Sequence, residues 1–96
     1  MLPAPRPVTA LLSSPLAAIT QFRAVADART WLFGAQSPRT LNARRNLGAA
    51  LARAGHNHEA VELLTDVCAT YRSVLGADHP YTATATATLQ QAQKAK

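Results

Sequence analysis

The 96-residue sequence predicts an all-α protein, a short right-handed solenoid of four antiparallel helices. Two observations support this fold. Glycine and proline divide the chain into four segments with helical spacing of apolar residues, and two of those segments match the other two after a shift of 42 residues. Residues 1–14, which contain Pro3, Pro5 and Pro7, are predicted to be a flexible tail, so that residues 15–96 form the helical domain.

Each helical segment has recognisable start and stop signals. Proline suits the first turn of a helix because its φ is fixed and its missing N–H is not needed there. Ser14 and Ser37 precede two such prolines as candidate N-caps, and Gly34, Gly55 and Gly76 follow helices as stop signals. The predicted helices run from about Pro15 to Phe33, Pro38 to Ala54, Asn57 to Leu75 and Pro80 to near Ala95.

Two of the predicted helices carry apolar residues on one face, which indicates that this face is buried. In the first helix, these residues are Ala18, Ile19, Phe22, Val25, Ala26, Leu32 and Phe33. In the third helix, they are Ala60, Val61, Leu64, Val67, Cys68, Tyr71, Val74 and Leu75. An apolar face must pack against a neighbouring element, so consecutive helices are expected to lie side by side.

The 42-residue shift aligns the apolar positions and the helix junctions together. It places Phe22 on Leu64 and Leu47 on Leu89, and it places the junction "LFGAQSPRT" on "VLGADHPYT". The segment "TATATATL", residues 82–89, alternates like a strand, but it aligns with the helical segment "TLNARRNL". The shift therefore favours a helix there and indicates repeated helix–turn–helix units.

The complete unit resembles a tetratricopeptide repeat of the longer kind found in kinesin light chains and in many bacterial signalling arrays. The matching motifs are G-x-x-H-P-x-T at Gly76, His79, Pro80 and Thr82, N-L-A/G at Asn46, Leu47 and Gly48, and A-G-x-x-x-E-A at Ala54, Gly55, Glu59 and Ala60. By period alone, HEAT or armadillo repeats would compete, but these motifs favour the tetratricopeptide repeat. The resemblance implies one complete repeat flanked by two half repeats. Arg44 departs from the family pattern, because an aromatic or apolar residue is frequent at that position.

Composition restricts the classes of function without selecting one. The net charge of +5, supplied mainly by arginine, permits binding of nucleic acid, of an anionic surface or of an acidic peptide. A single cysteine fits a reducing, cytoplasmic compartment, and arginine-rich, alanine-rich composition hints at a bacterial source. No segment approaches the roughly 20 apolar residues of a membrane helix, so no contact with a membrane is expected.

The sequence shows no constellation typical of an enzyme, a metal site or a cofactor site. His56, His58 and Glu59 could bind zinc, but no further ligand has the required spacing, and the resemblance makes this segment the tight turn between paired helices. Cys68 lies on the apolar stripe of the third helix, which indicates a small core residue and not a nucleophile. We expect no catalysis and no cofactor.

The resemblance implies a module that binds a protein or peptide partner. In the family, the first helix of each unit lines a concave groove, and an Asn before the N-L-A/G leucine contacts peptide. Here that residue is Asn46, and Asn42, Arg45 and Arg53 lie on the same helix, which has no acidic residue. We expect these four residues to bind a peptide, preferably an acidic one or a C-terminal carboxylate. The alternatives are a solvated helix face, a basic nucleic-acid-binding protein, and a fragment of a larger regulator.

The first helix aligns with the second helix of a unit, and the partner that would precede it in a unit is not evident in the sequence. We therefore expect an uncovered apolar face around Ile19, Phe22 and Trp31, and a homodimer formed through it. At the other end, polar residues form a solvating cap: Gln90, Gln91, Gln93 and Lys94. Inside the repeat, Gly48 is expected to pack against the third helix, with Ala60 closing the contact.

Overall fold

The computed structural model describes residues 14–94, and all four predicted helices are present in it. They are α1 (Pro15–Phe33), α2 (Pro38–Arg53), α3 (Asn57–Leu75) and α4 (Pro80–Lys94). Residues 14–94 contain no strand, and the alternating segment 82–89 is helical as predicted. The predicted tail lies outside the described residues, apart from Ser14, and so does Ala95.

Each helix packs against the next one in the chain, and α2 also contacts α4. The connections between helices are short, at residues 34–37, 54–56 and 76–79. Short connections restrict consecutive helices to neighbouring, antiparallel positions. The prediction of an all-α, short helical solenoid is therefore confirmed.

The junctions at residues 34–37 and 76–79 share the same backbone geometry. Gly34 ends α1 with φ 88° and ψ 162°, and Gly76 ends α3 with φ 94° and ψ 157°. A side chain at such a positive φ would be strained, and glycine avoids the strain because it has no Cβ. Proline then starts the next helix in both cases, at Pro38 and Pro80. The repeated phrase in the sequence is therefore a repeated turn in the structure.

The residue before each of these prolines also performs the same task in both junctions. The Ser37 hydroxyl accepts a hydrogen bond from the Arg39 backbone N–H at 3.3 Å, and Nδ1 of His79 accepts one from the Tyr81 N–H at 3.0 Å. The first N–H groups of a helix have no partner within the helix, so such a side-chain acceptor stabilises the helix start. His79 is thus the N-cap of α4.

We predict that His79→Ala lowers the free energy of unfolding by about 1 kcal/mol, the usual cost of losing an N-cap. His79→Ser should cost less, because a hydroxyl can accept the same hydrogen bond that Ser37 accepts. Urea denaturation followed by circular dichroism measures both values. Equal losses in the two variants would show that the cap does not stabilise α4.

The core lies on both sides of α2 and consists of two clusters of buried side chains. The first joins all four helices through Ile19, Leu47, Ala50, Leu51, Ala60, Leu64 and Ala92. The second joins α2, α3 and α4 near the 76–79 junction through Leu41, Val67, Cys68, Tyr71 and Ala85. Most of the predicted stripe on α3 is buried, but Val74 remains 42% exposed.

The prediction for α1 was wrong for three of the apolar residues assigned to one buried face. Ile19 and Ala26 are buried, but Val25, Leu32 and Phe33 are exposed. Among the described helices, only α2 packs along α1, so only a narrow strip of its surface is covered. For the same reason Ile19, which was expected on an uncovered face, is instead buried against α2 and is not available to a second copy of the chain.

Gly48 lies on the face of α2 that approaches α3, as predicted, and the side chain nearest to it there is that of Leu64. A Cβ atom at position 48 would lie 2.6 Å from Cγ and from Cδ2 of Leu64. Leu64 is fully buried, so its side chain has no free space into which it can turn. The close approach of α2 and α3 therefore requires glycine at this position.

We predict that Gly48→Ala destabilises the fold by about 1–3 kcal/mol through overpacking, even though alanine is a better helix former than glycine. The matched variant is the double substitution Gly48→Ala, Leu64→Ala. Because the new methyl group then occupies part of the space that leucine vacates, Leu64→Ala should cost less in the Gly48→Ala background than in the wild type. Additive losses in urea denaturation would rule out the contact.

Arg44, which departs from the family pattern, connects α2 to α3 by an ion pair. Its Nη2 atom lies 2.7 Å from Oδ2 of Asp66, and only 23% of its side chain is exposed. The ion pair thus joins a half-buried arginine of α2 to an exposed carboxylate of α3.

Candidate functional site

A concavity of the described residues lies where the start of α2 approaches the start of α4. It has a volume of about 620 Å³. Three arginines of α1 and α2 supply its positive charge, Arg29, Arg39 and Arg45, and Asn42 of α2 supplies an amide. Residues of α3 and α4 supply phenol and hydroxyl groups: Tyr71, Tyr81 and Thr84. Ser37 of the first junction and Pro38, the first residue of α2, complete the lining. We call this concavity the basic pocket.

The 42-residue shift relates the two groups of lining residues to each other. Arg29 corresponds to Tyr71, Arg39 to Tyr81, and Asn42 to Thr84. The repeated backbone thus presents the same positions twice, once with guanidinium and amide groups and once with aromatic and hydroxyl groups. The resulting pocket has two chemically different sides.

Hydrogen bonds to uncharged groups hold the arginines in place. Nη1 of Arg29 donates to the Arg39 carbonyl at 3.0 Å, and the Thr40 hydroxyl donates to the Arg29 carbonyl at 3.0 Å, which ties α1 to the first turn of α2. Nη2 of Arg45 donates to Oδ1 of Asn42 at 3.0 Å. These bonds orient the guanidinium groups without neutralising their charge.

No carboxylate among the described residues lines the basic pocket or pairs with its arginines. Three of the acidic side chains are paired elsewhere: Glu59 with Arg23 at 2.9 Å, Asp66 with Arg44, and Glu62 with His58 at 3.3 Å. An arginine without a carboxylate partner keeps its full charge available to an anionic ligand. The pocket is therefore suited to bind a carboxylate or another anion.

Tyr71 contributes a neutral hydrogen-bonding group to the pocket. The residue is 2% exposed, and its hydroxyl donates to the Pro38 carbonyl at 3.4 Å. Burial raises the pKa of Tyr71, while the charge of Arg45 acts in the opposite direction. Tyr81 is 55% exposed, and its ring contacts the ring of Tyr71, with 6.2 Å between the centroids. Tyr81 therefore presents the accessible aromatic surface.

The structure brings together two of the four predicted peptide-binding residues, Asn42 and Arg45. Asn46 does not line the basic pocket, and Arg53 lies eight residues beyond Arg45, about 12 Å along the helix axis. Nε of Arg53 donates to the Ala49 carbonyl at 3.5 Å.

Sequence reasoning missed Arg29, Arg39 and Tyr81. The repeat shift could have found them, because it places Arg29 and Arg39, which flank the first junction, on Tyr71 and Tyr81, which flank the second.

Four residues were considered above as metal ligands or as a nucleophile: His56, His58, Glu59 and Cys68. Among residues 14–94, no group of three or more His, Cys, Asp or Glu side chains is placed to hold a metal ion. Cys68 is 5% exposed, and burial raises its pKa, although a hydrogen bond to Thr86 and the charge of Arg72 oppose the shift. A buried, protonated thiol is a poor nucleophile.

None of the helices between residues 14 and 94 has the length and apolar character needed to cross a bilayer.

Comparison with known proteins identifies one family. The family model of the tetratricopeptide repeat matches residues 40–81, which extend from the first turn of α2 through α3 to the start of α4. No curated protein and no solved structure matches the chain. The match includes Asn42, Arg45, Tyr71 and Tyr81 of the basic pocket.

Proposed function

Residues 40–81 belong to the tetratricopeptide repeat family, whose repeats generally mediate binding between proteins, and from this premise we propose that the chain is a non-catalytic interaction module for an acidic peptide. The observation that carries the proposal is the basic pocket, which three arginines line and no described carboxylate neutralises. Arginine can bind a carboxylate with two parallel hydrogen bonds, so charge and geometry both favour such a ligand.

The remaining groups of the pocket fit a peptide backbone. Asn42 and Thr84 are exposed. The Asn42 NH2 group can donate to a peptide carbonyl, and the Thr84 hydroxyl, which itself donates to the Pro80 carbonyl, can accept from a peptide N–H. Asn46 and Arg53 follow Asn42 on the same face of α2 at helical spacing. Only a ligand longer than the pocket would reach them, so a short acidic peptide contacts Asn42 and Arg45 but not Arg53.

We predict that Arg45→Gln weakens binding of a fluorescein-labelled Gly–Ser peptide with two aspartates by about tenfold or more, because a charge-assisted hydrogen bond is lost. Arg53→Gln is the matched control, because it removes the same charge about 12 Å away and should change the affinity less than about twofold. Fluorescence anisotropy measures both. Equal affinities of the wild type and Arg45→Gln would contradict the proposed site.

The same titration separates peptide binding from nucleic-acid binding. A labelled single-stranded oligonucleotide replaces the peptide, and the salt concentration is varied. Nucleic-acid binding by a basic surface falls steeply with salt, because neutralised phosphates release counterions. An oligonucleotide that binds more tightly than the aspartate peptide, and that is insensitive to Arg45→Gln, would favour a general basic surface over the peptide site.

We further propose that the chain self-associates through the side of α1 that faces away from α2. Trp31 is 88% exposed there, and helical spacing places Ala24 and Ala28 on the same side, where small residues permit close approach of a second helix. Phe22 is half-buried against the core and contributes only its edge to this surface. A twofold contact between identical helices is the simplest closed arrangement.

We predict that the wild-type chain is a dimer by light scattering at tens of micromolar and that Trp31→Ser yields a monomer of about 10.2 kDa. Because Trp31 is exposed, its replacement should leave the helical content unchanged in circular dichroism. Leu16→Ser is the control, since Leu16 is also largely exposed but lies at the far end of α1. A monomeric wild type would exclude self-association.

A further inference from the structure

A second concavity, of about 540 Å³, opens beside the basic pocket along the second half of α1. It is lined by Val25, Ala28, Leu32 and Phe33, together with Arg29 and Arg39, and we call it the apolar hollow. Arg29 and Arg39 also line the basic pocket, so the two concavities adjoin each other at these two side chains. A single ligand can therefore contact both.

The hollow exposes apolar surface that nothing in residues 14–94 covers. Leu32 is 68% exposed, Phe33 is 45% exposed, and Val25 is 37% exposed. The guanidinium of Arg39 lies 5.1 Å from the centre of the Phe33 ring, which fixes a positive charge at the border of the hollow. Covering these side chains would remove apolar area from water, which favours binding.

Charge decides between the possible occupants of the hollow. No described carboxylate lines it, and two arginines border it. In a twofold contact through the hollow, a second copy would place the same two arginines against these ones. An acidic peptide brings opposite charge and can carry an apolar side chain as well.

We propose that the apolar hollow is the specificity subsite of the peptide site, and that it takes a bulky aliphatic residue of the same acidic peptide. The inference rests on the proposed function, because the acidic residue of that peptide occupies the basic pocket. On α1, Val25 and Leu32 lie one turn from Arg29, about 5–6 Å between Cβ atoms. An extended peptide spans about 3.3 Å per residue, so the apolar residue lies about two residues from the acidic one.

Fluorescence anisotropy with four labelled Gly–Ser peptides tests the subsite. One peptide carries two aspartates, one carries the aspartates and a leucine two residues away, one carries only the leucine, and one carries neither. The peptide with both features should bind the wild type about tenfold more tightly than the peptide with aspartates alone, because it buries a leucine side chain. The peptide with neither feature should not bind.

Two neighbouring residues of α1 provide the matched variants. Leu32→Ser should abolish the tenfold gain from leucine and leave the affinity for the aspartate peptide unchanged. Trp31→Ser should preserve the gain, because Trp31 does not line the hollow. Trp31 is a matched control, since its side chain is even more exposed than that of Leu32. Circular dichroism verifies that both variants are folded.

The outcomes separate the subsite from the proposed function. If the aspartate peptide binds but leucine adds no affinity, or if Trp31→Ser removes the gain as Leu32→Ser does, the subsite is wrong and the acidic-peptide function stands. If neither aspartate peptide binds, the proposed function and the subsite both fail. If Leu32→Ser changes the sedimentation of the protein and not its affinity for peptide, a second copy occupies the hollow and the inference is overturned.

Discussion

The structure depends on a turn that the chain makes twice. Gly34 and Gly76 adopt nearly the same positive φ, a proline starts the following helix, and a side chain before that proline accepts a hydrogen bond from the new helix. Because the backbone repeats at an interval of 42 residues, α3 and α4 stand in the same relation as α1 and α2. The close contact between Gly48 and Leu64 then sets how near the intervening pair, α2 and α3, can approach.

The repeated turn also explains where the basic pocket lies and why it has two chemistries. Both junctions point their flanking side chains into the same concavity, and the sequence differs between the copies at those positions. Arg29 and Arg39 stand where the second copy has Tyr71 and Tyr81. Most side chains beside the turn do not form the core. The residue types at these positions can therefore differ between repeats, and with them the ligand, while the backbone stays the same. Among the described residues that line the pocket, only Tyr71 is also part of the buried core.

The sequence predicted the helices well because glycine, proline and capping residues act locally. The bounds of α1 and α3 agree with the prediction at both ends, and α2 ends one residue early. Burial was harder to predict, because it depends on which neighbours are present. Val25, Leu32 and Phe33 share the spacing of core residues, but α1 has a described neighbour on one side only. The sequence predicted two residues of the pocket, Asn42 and Arg45, which lie together on α2. It did not predict Arg29 and Tyr81, because these come from other helices and meet Asn42 and Arg45 only in the tertiary structure.

The central claim is that an acidic peptide binds at the junction between repeats and not along the length of α2. A titration of the ¹⁵N-labelled chain with the aspartate peptide, followed by amide chemical shifts, tests it most directly. We expect the largest shifts to cluster around the basic pocket, at Arg39, Asn42, Arg45 and Tyr81, with little change at Arg53. Shifts concentrated at Arg53, or spread evenly over all exposed arginines, would contradict it.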